Sequence, residues 1–319
     1  MAVSRPFVVD TALTAIAIGF RNPASILIAD RVLPRVPVGG ERFKWLEYPL
    51  AEAFTLPPTF VGRKGRPNQV EFTSVERTGA VDDFALDDMI PNTDLVAAAQ
   101  QRAAGLSVYD PERRAIEGLT DLILNDREVR VANLVTNLNT YAAALRVTLS
   151  GTSQWNDYVN SNPVTAILAA LDLPMMRPNK IIMGQAAWTV VRQHPRVVNG
   201  VLGGNLNTGA VTTEQFARLM EVEEVIIGQG WINIARKGQP ANMQRIWGKD
   251  CALLYINPIA GPENMVTFGY TAQYGERVAG TIEDPNIGIL GGEAKRVGER
   301  VKEIIAAQSV GYLFKSAVA

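Results

Sequence analysis

The sequence predicts an α+β subunit with a long two-stranded excursion, and three observations lead there. Strand-period alternation flanks a proline- and glycine-rich stretch between residues 38 and 90. A long helical pattern with a strong start signal begins at Asp110. From residue 160 to 262, helix-type and strand-type segments alternate.

In chain order, residues 1 to 35 read as an apolar arm. Its stretch Phe7 to Phe20 is interrupted by Asp10 and falls short of the ~20 residues a membrane span needs. Only Arg5 is basic there, and no small-residue cleavage site follows, so it does not read as a signal peptide. The arm ends in Ile26-Leu-Ile-Ala-Asp30 and the turn Leu33-Pro-Arg-Val-Pro37, and it is expected to pack on another surface.

The excursion comes next. Phe43 and Trp45 alternate with Arg42 and Lys44, and Val70 and Phe72 alternate with Glu71 and Thr73. Between them, Leu50 to Pro67 holds Pro57, Pro58, Gly62, Gly65 and Pro67, the marks of a turn-rich tip. An isolated two-stranded ribbon is marginal in water. This one is expected to rest on a surface, its own or a neighbour's.

Asp110 is a good N-cap and Pro111 suits the first helical position. Ile116, Leu119, Ile123, Val131, Leu134, Val135 and Leu138 keep helical spacing to about Asn139, with Asn125-Asp126 as a candidate bend. Such a helix is ~40 Å long. Ala143 to Leu149 reads as a strand, Pro163 to Leu171 as a helix, Lys180 to Met183 as a strand and Gln185 to Gln193 as a helix. Gly200 to Gly209 reads as a loop, and Thr212 or Thr213 as the cap of a helix through Met220. Glu224 to Gly228 and Cys251 to Asn257 read as buried strands. Strict alternation of Val266, Phe268, Tyr270, Ala272 and Tyr274 predicts a strand with one face buried. The tail fits a helix at Val297, Val301, Ile304 and Ile305, and a strand at Val310, Tyr312 and Phe314.

Composition narrows the function. The chain has 319 residues, 31 Lys plus Arg against 32 Asp plus Glu, and a net charge of −1. A dedicated nucleic-acid binder carries a basic excess, which is lacking here. The single cysteine, Cys251, forbids an intrachain disulfide, suits a reducing cytoplasm and reads as a small buried hydrophobe. His194 is the only histidine, followed by Pro195, and reads as a positive side chain suiting a helix end. One Cys and one His do not make a usual zinc site, so no cofactor, metal or catalytic residue is expected. Gly228-Gln-Gly230 follows a strand, but the third glycine position is Asn233 and strand resumes at Trp231, against a dinucleotide loop. Asp82, Asp83, Asp87 and Asp88 do not follow EF-hand spacing and read as a solvated acidic turn. Arg63, Lys64 and Arg66 form a short basic run at the tip, either solvated or in ionic contact with a neighbouring subunit.

Taken in order, the motifs resemble one family. Asn22-Pro-Ala-Ser-Ile-Leu-Ile-Ala-Asp30 with Leu33-Pro-Arg-Val-Pro-Val38, then Trp155-Asn-Asp-Tyr158 and Ser161-Asn-Pro163, open the series. Arg177-Pro-Asn-Lys-Ile-Ile-Met-Gly184, Phe216 to Val222 with Val225-Ile-Ile-Gly228, Ile246-Trp-Gly248, Tyr255-Ile-Asn-Pro258 and Thr267-Phe-Gly269 complete it. The chain resembles the major capsid proteins of tailed bacteriophages, with the Hong Kong 97-like fold.

That resemblance implies an N-terminal arm at 1–37, an extended loop (E-loop) at 38–90, a peripheral domain at 91–159 and 263–319 with a spine helix at 111–139, and an axial domain at 160–262. It resolves the tail as strand from about Val297. It implies a structural shell protein, not an enzyme. The shell is icosahedral, built of hexamers and pentamers around double-stranded DNA in the virion and assembled in the host cytoplasm. A portal protein and a decoration protein are implied partners, with no membrane. The arm starts almost at Met1, so scaffolding is expected from a separate protein. Some members crosslink a loop lysine; Lys64 sits at the tip, but no partner asparagine is identifiable, so no crosslink is expected. A nanocompartment shell of the encapsulin kind shares this fold and stands as the alternative, with a soluble α/β enzyme or ligand binder as a third reading.

Overall fold

The computed structural model describes residues 8–9, 27–47, 55–71, 75–106, 109–204, 208–236, 238–257 and 266–319. The expected arm before residue 27, apart from Val8–Val9, lies outside the described residues, as does Leu50 to Phe54 of the loop. The chain runs through β1 (Val8–Val9), α1 (Ala29–Val32), β2 (Arg35–Pro37), β3 (Arg42–Glu47), β4 (Val75–Ala80), β5 (Asp82–Pro91), α2 (Asn92–Ala103) and α3 (Pro111–Val135). It continues with β6 (Arg146–Thr148), α4 (Pro163–Leu171), β7 (Lys180–Gly184), α5 (Gln185–Val191), α6 (Pro195–Leu202), α7 (Thr213–Met220) and β8 (Glu224–Gly228). It closes with β9 (Trp231–Asn233), β10 (Met243–Arg245), β11 (Cys251–Leu254), β12 (Gly269–Gln273), β13 (Val278–Asp284), β14 (Gly292–Ile305) and β15 (Gly311–Lys315).

Two sheets carry the fold. One has the order β6-β15-β11-β7-β8, so the inner strand β15 comes from late in the sequence. Segment 160–262 supplies β7, β8 and β11, and the flanking segments supply β6 and β15. These strands are near-continuous apolar runs because both faces are covered. Ile181, Met183, Leu253 and Phe314 face the helices α4 to α7 and pack with Leu171, Trp188, Phe216 and Met220. Their neighbours Ile182, Ile226, Ala252, Leu254 and Leu313 face the other way, onto Ile28, Leu33, Val131 and Val135. The second sheet runs β1-β13-β14-β12-β2, with β5 on the free edge of β14. The tail is strand, as expected, and β14 begins five residues before Val297, at Gly292.

Helix α3 is the beam shared by both sheets. Asp110 accepts hydrogen bonds from the Glu112 and Arg113 amides, with Pro111 at the first position. The helix passes through Asn125-Asp126 unbroken and spans 25 residues, roughly 37 Å. Ile116, Leu119 and Ile123 of its first half pack on Ala279 and Val297 of the six-stranded sheet. Val131, Ala132 and Val135 of its second half pack beneath the five-stranded sheet. It ends at Val135, not Asn139. Thr140 Oγ1, Tyr141 OH and Lys315 Nζ donate to the Leu134, Val135 and Thr136 carbonyls, supplying the partners that a helix C-terminus lacks.

The handover between sheets falls at Arg127 and Glu128, both buried. The Glu128 carboxylate accepts from the Ile28 amide at 2.9 and 3.0 Å, the Ala29 amide at 2.7 Å and Trp247 Nε1 at 2.5 Å. It thereby caps α1, joining the incoming arm, the beam and the five-stranded side at one point. Burial pushes its carboxyl above the usual range, even against these donors. Arg127 donates to Asp30, to the Leu33 carbonyl at 3.3 Å and to Thr271 Oγ1 at 3.0 Å. Arg35 bridges Asp30 at 2.8 Å and Glu299 at 3.0 Å, and Arg277 reaches the same Glu299 oxygen at 3.1 Å. Burial works to raise the Glu299 carboxyl, but the Arg35, Arg277 and Arg127 guanidiniums outweigh it and hold it below its ordinary value. Asp30 is likewise lowered by Arg127 and Arg35 against the effect of burial.

Several expectations need correction. The stretch 143–149 forms a 3-10 turn at Ala143–Leu145 before the short β6. The strand at 251 stops at Leu254, since Asn179 takes up the Ile256 amide instead of a strand partner. Strand β12 is buried on both faces. Tyr270 and Ala272 face one apolar cluster, while Thr271 faces Arg127 on the other side. A return strand of the excursion is β4, in register with β3 from Arg42↔Ala80 to Glu47↔Val75; Val70 and Glu71 are not strand, and Phe72 and Thr73 lie outside the described residues. Helix α2 was not anticipated.

Glu128→Ala leaves three buried donors unpaired and is expected to lower subunit stability by about 3–5 kcal/mol. Urea unfolding of the unassembled subunit reads this directly, and a loss under about 1 kcal/mol contradicts the joint. The lowered Asp30 and Glu299 carboxyls give a pH dependence of definite sign. Their stabilisation is complete above the ordinary carboxylate range and is lost as pH falls below it through their own values. Melting temperature is expected to drop from pH 5 to pH 3, and the drop is smaller in Glu299→Gln; equal slopes exclude the cluster as its source.

Candidate assembly surfaces

The excursion leaves the body beyond β3 and β4. Every described residue from 55 to 71 except Pro57 is exposed, with Leu56 at 95% and Phe60 at 90%. The Gly65 amide donates to the Gly62 carbonyl at 2.8 Å, closing a four-residue turn with Arg63 and Lys64 at its corners. Arg66 follows just outside the turn, so the structure places all three basic residues together on an exposed tip. Asn68 Nδ2 donates to the Pro58 carbonyl at 2.6 Å, tying the two arms of the tip. Among the described residues, nothing in the chain packs on these large apolar side chains.

The acidic run at 82–88 is strand, not a solvated turn. It is part of β5, paired with β14 from Pro91↔Gly292 to Asp82↔Val301. Asp87 takes a bidentate contact from Arg296 at 2.6 and 2.7 Å, and Asp82 binds Lys302 at 2.7 Å. Phe84 lies under the Arg130 guanidinium, 3.6 Å from the ring centroid. Two of the four carboxylates, Asp82 and Asp87, are thus taken up by cross-strand ion pairs.

His194 is also corrected. It is the N-cap of α6, fully buried, and not a positive group at a helix end. Its Nδ1 accepts from the Arg196 amide at 3.1 Å, and its Nε2 lies 3.1 Å from Ser161 Oγ. An accepting Nδ1 puts the proton of the neutral ring on Nε2, which then donates to Ser161. The ring cannot take the serine proton, so the pair is not a nucleophile and its base. Burial, with Arg196 nearby, lowers the imidazole to about 4. Cys251 is buried, and its thiol is pushed up by burial and by Asp250, away from the thiolate a nucleophile needs. At Gly228 the Trp247 ring sits where a Cβ would be, 2.1 Å from Cδ1, so packing accounts for this glycine.

Sequence reasoning missed Arg127 and Glu128. A signal existed for the first, since 127 continues the apolar spacing 116, 119, 123, 131 and so lies on the buried face.

Comparison with known proteins agrees with this picture of a subunit built to be packed against others. The major capsid protein of Pseudomonas phage JBD67 is 45% identical over 317 residues, 98% of each chain. That of Burkholderia phage BcepMu is 26% identical over 321 residues, 98% of this chain and 97% of the other. A solved phage-related protein from Bordetella bronchiseptica RB50 superposes with a TM-score of 0.72 at 22% identity, over 98% of both chains. The capsid structure of cyanophage P-SCSP1u gives 0.58 at 8% identity, over 92% of this chain and 89% of that one. No protein-family model matches. The fold is the Hong Kong 97-like fold of phage capsids, an α+β shell-subunit architecture. The chain belongs to the family of phage major capsid proteins, which are structural and not enzymes.

Since folding lowers the His194 value, its contribution to stability is full above about 6.5 and declines as pH falls from there towards about 4. Its ring resonances are expected to stay those of the neutral Nε2–H form at pH 5.5, and an imidazolium spectrum there refutes the assignment. His194→Ala is expected to cost about 1 kcal/mol for the lost cap.

Proposed function

We propose that this chain forms hexamers and pentamers that close into an icosahedral phage head around double-stranded DNA. The exposed excursion carries the reading. Leu56 and Phe60 gain roughly 1.5–3 kcal/mol each when buried, and no described residue of their own chain buries them. The loop lies across an adjacent subunit, with Arg63, Lys64 and Arg66 making ionic contacts there. Repeated around a closed shell, such modest contacts sum to a particle far more stable than any one of them.

The parts divide as arm 1–37, loop 38–90, peripheral domain 91–159 with 263–319, and axial domain 160–262 around the capsomer centre. A separate scaffolding protein, a portal and a decoration protein act as partners during assembly in the host cytoplasm. Contact with DNA is non-specific, in keeping with the net charge of −1.

Deleting residues 50–67 tests the proposal. The variant is expected to melt as the parent subunit does but to give few closed particles by negative-stain microscopy, with or without a scaffold. Normal particles from the deletion overturn the role of the loop. A parent protein that forms neither rings nor shells overturns the whole reading.

A further inference from the structure

The ribbon of β9 and β10 stands off from the body, and no described residue from 231 to 246 is buried. Trp231, Ile234 and Met243 are each about half exposed, at 48%, 52% and 53%. Arg245 lies over the Trp231 ring at 4.3 Å, and Arg236 is exposed near the tip. From Val225 to Lys249 the chain carries Arg236, Lys237, Arg245 and Lys249 and not one acid. A two-stranded ribbon of this size is not stable alone in water. It is an apolar, cationic finger without a surface.

A complementary surface lies at the root of the same finger, where Gln229, two residues before Trp231, borders a cleft. Strand β8 is the edge of its sheet, and beside it, against α7, an open cleft of about 450 Å³ is lined by Glu214, Ala217, Glu223, Glu224, Val225 and Ile227. Arg31 also borders it but is engaged with Glu224 at 2.5 Å, as is Lys180 at 3.3 Å. Glu214 and Glu223 remain exposed at the rim, with Glu221 close by in sequence. The cleft therefore offers an apolar floor under an acidic rim, the inverse of the finger.

We infer that the β9–β10 finger of one copy docks into the β8–α7 cleft of the next copy around a capsomer ring. The tip of the finger and the cleft at its root are different surfaces, so contact between them on successive copies is head-to-tail, which generates a closed ring when the rotation closes. The inference rests on the shell reading and says which surfaces build the ring. Opposite charge steers the encounter and rejects wrong registers, while Trp231, Ile234 and Met243 supply the buried area.

The test uses the full chain with Glu214→Cys and Arg236→Cys, oxidised after assembly. Cys251 does not interfere, being buried. A reducible ladder of covalent oligomers up to pentamer and hexamer is expected on denaturing gels. Particles that assemble yet run only as monomer overturn the docking and leave the shell reading intact. Parent protein that never assembles removes both. As a check independent of disulfide geometry, Arg236→Glu is expected to cut the assembled fraction about tenfold, and adding Glu214→Arg to restore most of it. Absence of rescue also overturns the docking.

Discussion

Glu128 and Arg127, neighbours on one helix, decide how the two halves of this subunit meet. Each carries a charge that water would solvate better than an apolar core, so each is tolerated only with its partners in place. Glu128 finds two amides of the arm and one indole. Arg127 finds an aspartate, a carbonyl and a threonine. An apolar pair at these positions could slide by a turn and still be buried. A carboxylate with three fixed donors cannot slide, so the helix has one position along both sheets. The arm leading to β2 is locked by the same groups, through Asp30 and Arg35.

With that register set, the five-stranded sheet is sealed on both faces and the chemistry of the chain turns inward. His194 caps a helix, Ser161 accepts from it, and Cys251 faces Phe314 across a strand pair. Reactive side chains are thus consumed as structural groups. What remains at the surface is shape and charge: a basic turn on a long loop, a cationic finger, an acidic cleft. These are the means of a protein that acts by touching copies of itself.

Much of the local architecture was legible. Asn162 before Pro163, Thr212 with Gln215, and Asp110 before Pro111 announce helix starts through short-range hydrogen bonds, and the helices begin there. The strands from Lys180 and Glu224 begin where their apolar runs begin. What misled was settled by distant partners. The aspartates of β5 are solvent-exposed, as read, but lie in a strand, because β14, which holds Arg296 and Lys302, lies some two hundred residues away. The beam stops short of Asn139 because Thr140 and Tyr141, with Lys315 from the far end of the sequence, take up its last carbonyls. Arg127 keeps the apolar spacing of its helix, but the partners that make its burial tolerable, Asp30, Leu33 and Thr271, lie far from it in sequence. The exposure of Arg63 and Lys64 followed from Gly62 and Gly65, but what they touch is not encoded next to them.

The place of β15 has a consequence for how the protein is made. This strand sits between β6 and β11, so until residue 315 has been synthesised β6 cannot join the sheet and β11 is its outer strand. Until then β6 lacks its one partner among the described strands, and β11 offers a bare edge. A nascent or prematurely ended chain therefore presents no finished subunit to its neighbours. Completion of this sheet is thus tied to the last strand in the sequence, not to the segment that supplies most of it.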